Sequence, residues 1–249
     1  MAAPAVSPVA PPVPEAVAAA AAAARLGEHR ETFLPKRHGV ARMAGLVLFT
    51  LLGLACFVLP GLVFVRILLQ TPNVSRKQAA KRLHYFEHGM VVADHTGPVG
   101  VFRWDSMAVL QEITQRYANG IYVGTTYVYT LYKQDGTPLK LTGFYAEPER
   151  WGSILQQEIT AWQLTGVVAA LQRGETVRFG DLAVTGGGIA TKKRGAVAWN
   201  EIQSVEIKNG TVFVGRAGKL MAWSNTPVAK IPNFFLFLAT VDHIRSTPR

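Results

Sequence analysis

The chain has 249 residues, 49% of them hydrophobic and 17% charged, with a net charge of +10 and one cysteine, Cys56. That length allows one or two domains with a sizeable core, and a single cysteine excludes a disulfide framework. Residues 1–82 hold 10 Lys/Arg against 3 Asp/Glu while residues 83–249 hold 16 against 13, so the basicity belongs to one end of the chain and no nucleic-acid partner is expected.

Residues 1–24 are almost wholly Ala, Pro and Val, and Pro4, Pro8, Pro11, Pro12 and Pro14 block regular structure. This composition predicts a disordered tail, with a short helix beginning near Glu15. The tail lacks the basic start of a signal peptide. Residues 25–42 carry Arg25, Arg30, Lys36, Arg37 and Arg42 and read as a basic juxtamembrane segment.

Residues 43–65 form a run of 23 without a charge. At ~1.5 Å per residue one helix of this length covers roughly 34 Å, more than a hydrocarbon core of about 30 Å, so the run is expected to be a transmembrane helix. Pro60 is tolerated there as a kink. Gly45, Gly53 and Gly61 are spaced by eight, which is not the four-residue spacing of close-packed membrane helices, and they predict no helix partner. A basic linker of residues 66–82 follows, carrying Arg66, Arg76, Lys77, Lys81 and Arg82. The expectation is a single-pass protein of the cell membrane. Flanking charges tie and do not orient it, and the absence of any extracellular adaptation assigns the C-terminal part to the cytoplasm.

From residue 83 the chain shows short alternating strands, and its punctuation occurs twice in the same order. The first copy runs from HYFEHGMVVA (84–93) through VFRWDSMAVL (101–110) and the Asn119-Gly120 and Asp135-Gly136 turns to a helix opening at Pro148. The second runs from LAVTGGGIA (182–190) through VAWNEIQSV (197–205) and the Asn209-Gly210 and Gly218 turns to a helix opening at Pro232. Trp104-Asp105 thus matches Trp199-Asn200. Asn-Gly is a strong hairpin signal, because a type I′ turn needs positive φ at both central residues. Trp151, Ile154, Leu155, Ile159 and Trp162 recur at helical spacing, as do Phe234, Phe237, Leu238, Val241 and Ile244, and each set predicts a helix lying on a sheet. Phe235 and Leu236 are apolar but fall off the second stripe. The expected fold is α+β: one N-terminal transmembrane helix, then two tandem pleckstrin-homology-like β-barrels, residues 83–174 and 175–249, each closed by its C-terminal helix.

The stretches YFEHGMVVA (85–93), FRWD (102–105), NGIYVGTTYVYTL (119–131), WGSILQQEIT (151–160) and VAKIPNFFLFLA (228–239) resemble an uncharacterised family of actinomycete-type bacterial proteins. The resemblance covers about two thirds of the chain. It implies pleckstrin-homology-like folding, often with membrane association, and supplies neither an activity nor site residues.

Candidate sites are few. Lys192, Lys193 and Arg194 lie between two short strands near the start of the second copy, where pleckstrin-homology domains that bind phosphoinositides commonly carry basic residues. Arg76, Lys77, Lys81 and Arg82 follow the apolar run closely, and such clusters attract anionic lipid head groups. Gly186-Gly187-Gly188 is a turn, since a phosphate-cradling loop needs a Lys-Ser or Lys-Thr at a helix start. His84 and His88 share a strand face but stand roughly 13 Å apart at ~3.3 Å per residue, too far to share a zinc ion. No metal, no cofactor and no catalytic triad is predicted. The expected function is a non-enzymatic binding or scaffold protein presenting its repeats to anionic lipid head groups or to a protein partner. The alternative is a ligand-binding membrane sensor with a pocket between the barrels, which an open cleft lined by Tyr122, Tyr127, Tyr129 or the tryptophans would favour.

Overall fold

The computed structural model describes residues 13–56, 58–133 and 135–246. It divides into two compact units, one ending at Arg103 and including Phe144–Glu147, the other formed by Trp104–Gly143 and the chain from Pro148 onward.

The first unit begins with helix α1, Glu15–Ala23. Its apolar face buries Val17 and Ala21 against Leu26, Phe86, Val91 and Ala93. The stretch read as a tail is therefore helical and packed from Glu15; the expectation for residues 1–12 lies outside the described residues. The segment read as juxtamembrane is also built into the unit. It supplies strand β1, His29–Phe33, which pairs antiparallel with β2, Arg82–Phe86. β3, Gly89–Asp94, and β4, Gly97–Arg103, complete a meander in the order β1-β2-β3-β4. A boundary at residue 83 thus runs through β2 and leaves β1 outside.

Between β1 and β2 the apolar run folds as two helices, α2 at Val40–Cys56 and α3 at Val58–Leu69. They pack against each other in opposite directions. A Cβ on Gly53 would lie 3.1 Å from Gly61 Cα, and the Phe49 and Phe64 rings stack with centroids 6.3 Å apart. At ~1.5 Å per residue the helices are roughly 26 and 18 Å long, both short of a hydrocarbon core of about 30 Å. Among the described residues no helix is long and apolar enough to cross a membrane. The expected transmembrane helix is thereby corrected, and the single-pass cell-membrane placement, with the cytoplasmic side given to the C-terminal part, falls with it. The cause is chain reversal within the run, which the absence of charge does not report. A four-residue helix, α4 at Arg76–Ala79, leads back into β2.

The second unit holds three sheets and two long helices. β5, Val109–Ala118, β6, Ile121–Tyr132, and β7, Pro138–Thr142, form one meander. Helix α5, Pro148–Gln172, follows. β8, Val177–Phe179, β9, Leu182–Thr185, β10, Gly188–Thr191, and β11, Gly195–Ala198, form the next. β12, Ile202–Lys208, β13, Thr211–Arg216, and β14, Ser224–Pro227, form the last, before helix α6, Phe234–Ser246. Four strands, three strands and a helix therefore occur twice along the chain. Both Asn-Gly pairs take the required positive φ, 50° and 79° at Asn119-Gly120 and 48° and 68° at Asn209-Gly210.

Among the described residues there are no closed barrels. The four antiparallel sheets they form are separate, and none pairs with another to complete a ring. Closure needs pairing between strands distant in sequence, whereas the turn signals specify only neighbours. Trp104 and Trp199, the matched positions of the two copies, are both buried, each just beyond a sheet's last strand. The core of the second unit gathers Leu182, Val184, Ile189, Val212, Val214 and Phe237, with Leu236 buried among them. Trp162 is 43% exposed and lies outside that core.

Candidate functional site

The long β5–β6 hairpin alternates as its sequence suggests only at its base. Tyr129 and Leu131 are buried there, while Ile121 and Val123 near the tip are exposed. Tyr129 packs on Trp151 of α5 with ring centroids 5.0 Å apart. Position 152 is glycine because a Cβ there would collide with the Tyr129 hydroxyl. Burial, helped by Tyr127 and the Glu149 carboxylate, pushes the Tyr129 phenol up to about 12, so it is a neutral hydroxyl at any physiological pH.

Tyr127, Tyr129, Glu149 and Gly152 line an open cleft of about 870 Å³. Ile113, Tyr127 and Tyr129 come from β5 and β6; Gly152, Gln156 and Ala161 from α5; Phe235, Leu238 and Ala239 from α6. Phe235, which falls off the α6 stripe, is apolar for this reason. The lining is mostly apolar, a size and character suited to a small ligand.

Its polar groups include the hydroxyls of Tyr127, Tyr129, Ser153 and Thr160, the amides of Gln156 and Gln157, and two carboxylates. Gln156 is only 3% exposed, and its amide nitrogen donates to Gln111 Oε1 at 2.9 Å. Gln156 Oε1 has no hydrogen-bond partner among the described residues. A buried carbonyl left so costs roughly 1–3 kcal/mol. Glu149 and Asp242 also line the cleft, and among the described residues that line it none is cationic.

A second concavity of about 400 Å³ contains the predicted trio Lys192, Lys193 and Arg194 in the β10–β11 turn. Lys230 joins them from another part of the chain, with Asp181 as the only carboxylate of the lining. Ser224 also lines it, and its buried hydroxyl has no partner among the described residues. Sequence spacing gave no sign of Lys230 or Ser224, because both arrive through the β14 edge.

The other predicted group divides. Arg76 and Lys77 are exposed on α4, whose first turn is capped by the Ser75 hydroxyl accepting from Gln78 N at 3.4 Å. Lys81 Nζ sits 5.2 Å from the centre of the Phe144 ring. Arg82 is half-buried and donates to the carbonyls of Ala79 and Lys81. Cys56 is exposed at the end of α2.

A family model described as a family of unknown function (DUF6585) matches residues 14–249. No curated protein and no solved structure matches the chain.

Proposed function

The chain belongs to that family of unknown function, from which no activity follows, and we propose that it is a non-enzymatic binding protein whose apolar cleft takes a small amphiphile bearing a hydrogen-bond donor. The observation that carries this reading is the cleft itself, open, mostly apolar and lined by Tyr127 and Tyr129. The donor is inferred from the carboxylates of Glu149 and Asp242. A long-chain amine or alcohol fits such a lining; a fatty acid would set its carboxylate against two others.

Titrating the full-length protein with a fluorescent long-chain amine tests the proposal. Saturable binding is expected, with the matching fatty acid a weak competitor. Ala239→Trp would fill the cleft and weaken binding on the order of tenfold or more, as loss of one well-packed apolar contact does. Preference for the fatty acid, or binding indifferent to Ala239→Trp, would sink it.

A second reading keeps the expected contact with anionic head groups, at Lys192, Lys193, Arg194 and Lys230. The unpartnered Ser224 hydroxyl among these cations favours it, since phosphate oxygens accept from both. Calorimetric titration with glycerol phosphate should give heat that Lys193→Ala with Lys230→Ala abolishes. The twice-repeated element order also supports reading the family as one of pleckstrin-homology-like repeats built from open sheets.

A further inference from the structure

In the second copy, strands β8 and β9 are joined by only Gly180 and Asp181; in the first, the corresponding β1 and β2 are separated by residues 34–81. The sheet does not need this insertion. It leaves and returns at one place, because His38 N donates to Asn73 Oδ1 and Asn73 Nδ2 donates to His38 O, both at 2.9 Å. What lies between is the α2–α3 hairpin.

We propose that this hairpin is a re-entrant element that buries its apolar flanks in one leaflet of an anionic lipid bilayer, while the cations around its base meet the head groups. The helices cover only the faces they turn to each other. Leu48, Leu51, Leu59 and Leu62 are each more than half exposed, a contiguous apolar surface of the kind that marks an interaction site. Thr50, within α2, is buried and satisfied internally, its Oγ1 donating to Leu46 O at 2.7 Å. That is the arrangement hydrocarbon requires.

Depth and charge select the occupant. From Met43 to the end of α2 the uncharged length is roughly 21 Å, and along α3 to Val65 roughly 12 Å, which brackets the ~15 Å of one leaflet. Between Glu31 and Glu87 the sequence has eight Lys/Arg and no Asp/Glu. Because the helices are antiparallel, Arg42 and Arg66 both stand toward the base, with Arg37 and Arg76 in the segments that lead to and from it. A second copy packed side by side would set these cations against their like. An anionic lipid surface complements them.

The test uses the full-length protein and preformed vesicles of phosphatidylcholine with and without phosphatidylglycerol. Cys56, the only cysteine, ends α2 at the hairpin's turn and can carry an environment-sensitive fluorophore. In the anionic vesicles the label should be quenched by acyl-chain nitroxides and protected from iodide, and tags on both termini should remain open to added protease. Leu51→Asp with Leu59→Asp should weaken vesicle association on the order of a hundredfold or more, the cost of a carboxylate at that depth. Circular dichroism and amine binding at the cleft should not change. A label reached by iodide in the presence of vesicles overturns the proposal, as does a terminus protected from protease or association that survives the double substitution. Dimers that depend on Leu51 and Leu59 and ignore vesicles would assign the surface to a second copy instead.

Discussion

Asn233, just ahead of α6, is the residue whose replacement should cost the second unit most for its size. Its φ is 49°, a region that Asn tolerates and Ala does not. Its own N–H donates to Val109 O at 2.9 Å, and its Oδ1 accepts from Val109 N at 2.8 Å. Its Nδ2 donates to Met107 O at 2.9 Å and to Gln163 Oε1 at 3.1 Å. The start of α6 is thereby clipped to the start of β5. Asn233→Ala orphans the buried Val109 N–H, a loss of roughly 1–3 kcal/mol, and removes further bonds worth about 1 kcal/mol. Forcing Ala into the left-handed region adds about 1 kcal/mol or more. The sum is about 3–5 kcal/mol, a large share of the ~5–15 kcal/mol that holds a typical domain. Asn233→Gly loses the same bonds without the backbone strain and should be about 1 kcal/mol less damaging. Asn233→Asp keeps the acceptor for Val109 N–H. Urea unfolding followed by tryptophan fluorescence measures all three. Asn233→Ala within about 1 kcal/mol of the parent would refute the clip; Asn233→Gly no better than Asn233→Ala would refute the contribution from φ.

Two further outcomes follow from the first unit. Burial, reinforced by His29 and Arg82, lowers the His84 imidazole to about 4, against about 6.5 in the unfolded chain. Above that value it is neutral in both states; as pH falls toward about 4 the unfolded chain takes up a proton that the folded one refuses. Up to about 3 kcal/mol should be lost between these limits. Urea midpoints across the range should show it, His84→Gln should flatten it, and a flat parent profile would refute it. In the hairpin, a Cβ at Gly61 would lie 2.6 Å from Leu54 N, whereas nothing lies within 4 Å of one at Gly45. Gly61→Val should therefore open the hairpin to limited proteolysis, and Gly45→Ala should be neutral. Equal protease resistance in the two would exclude the close helix contact.

Much of the local structure was legible because its signals are local. Asn119-Gly120 and Asn209-Gly210 make the hairpins their φ requirement dictates, and Trp151, Leu155 and Ile159 form the buried stripe of α5. Of the residues expected to line a cleft, Tyr127 and Tyr129 do so, whereas Tyr122 and the tryptophans are not in its lining. The helical side could not be read, since Gln156 and Phe235 sit at positions that helical periodicity treats as incidental, and only α6 lying beside α5 gives them a role. Asn233 was hidden for a related reason. Before an apolar run it reads as an ordinary helix cap, and nothing nearby tells that its side chain reaches β5, 124 residues away.

The apolar run held a readable signal of its own. Proline is disfavoured inside a helix, and the sequence places Pro60 four residues beyond Cys56, where α2 ends. Gly53 and Gly61 are symmetric about the break, and so, within half a residue, are Phe49 and Phe64, the pairs that meet in the hairpin. Spacing by eight carries no meaning on a continuous helix. On a chain that reverses midway it is the distance that brings two glycines face to face, removing the side chains that would hold the helices apart. Length and absence of charge therefore measured how much apolar chain was present, while the paired glycines mark where the two helices meet once it turns back.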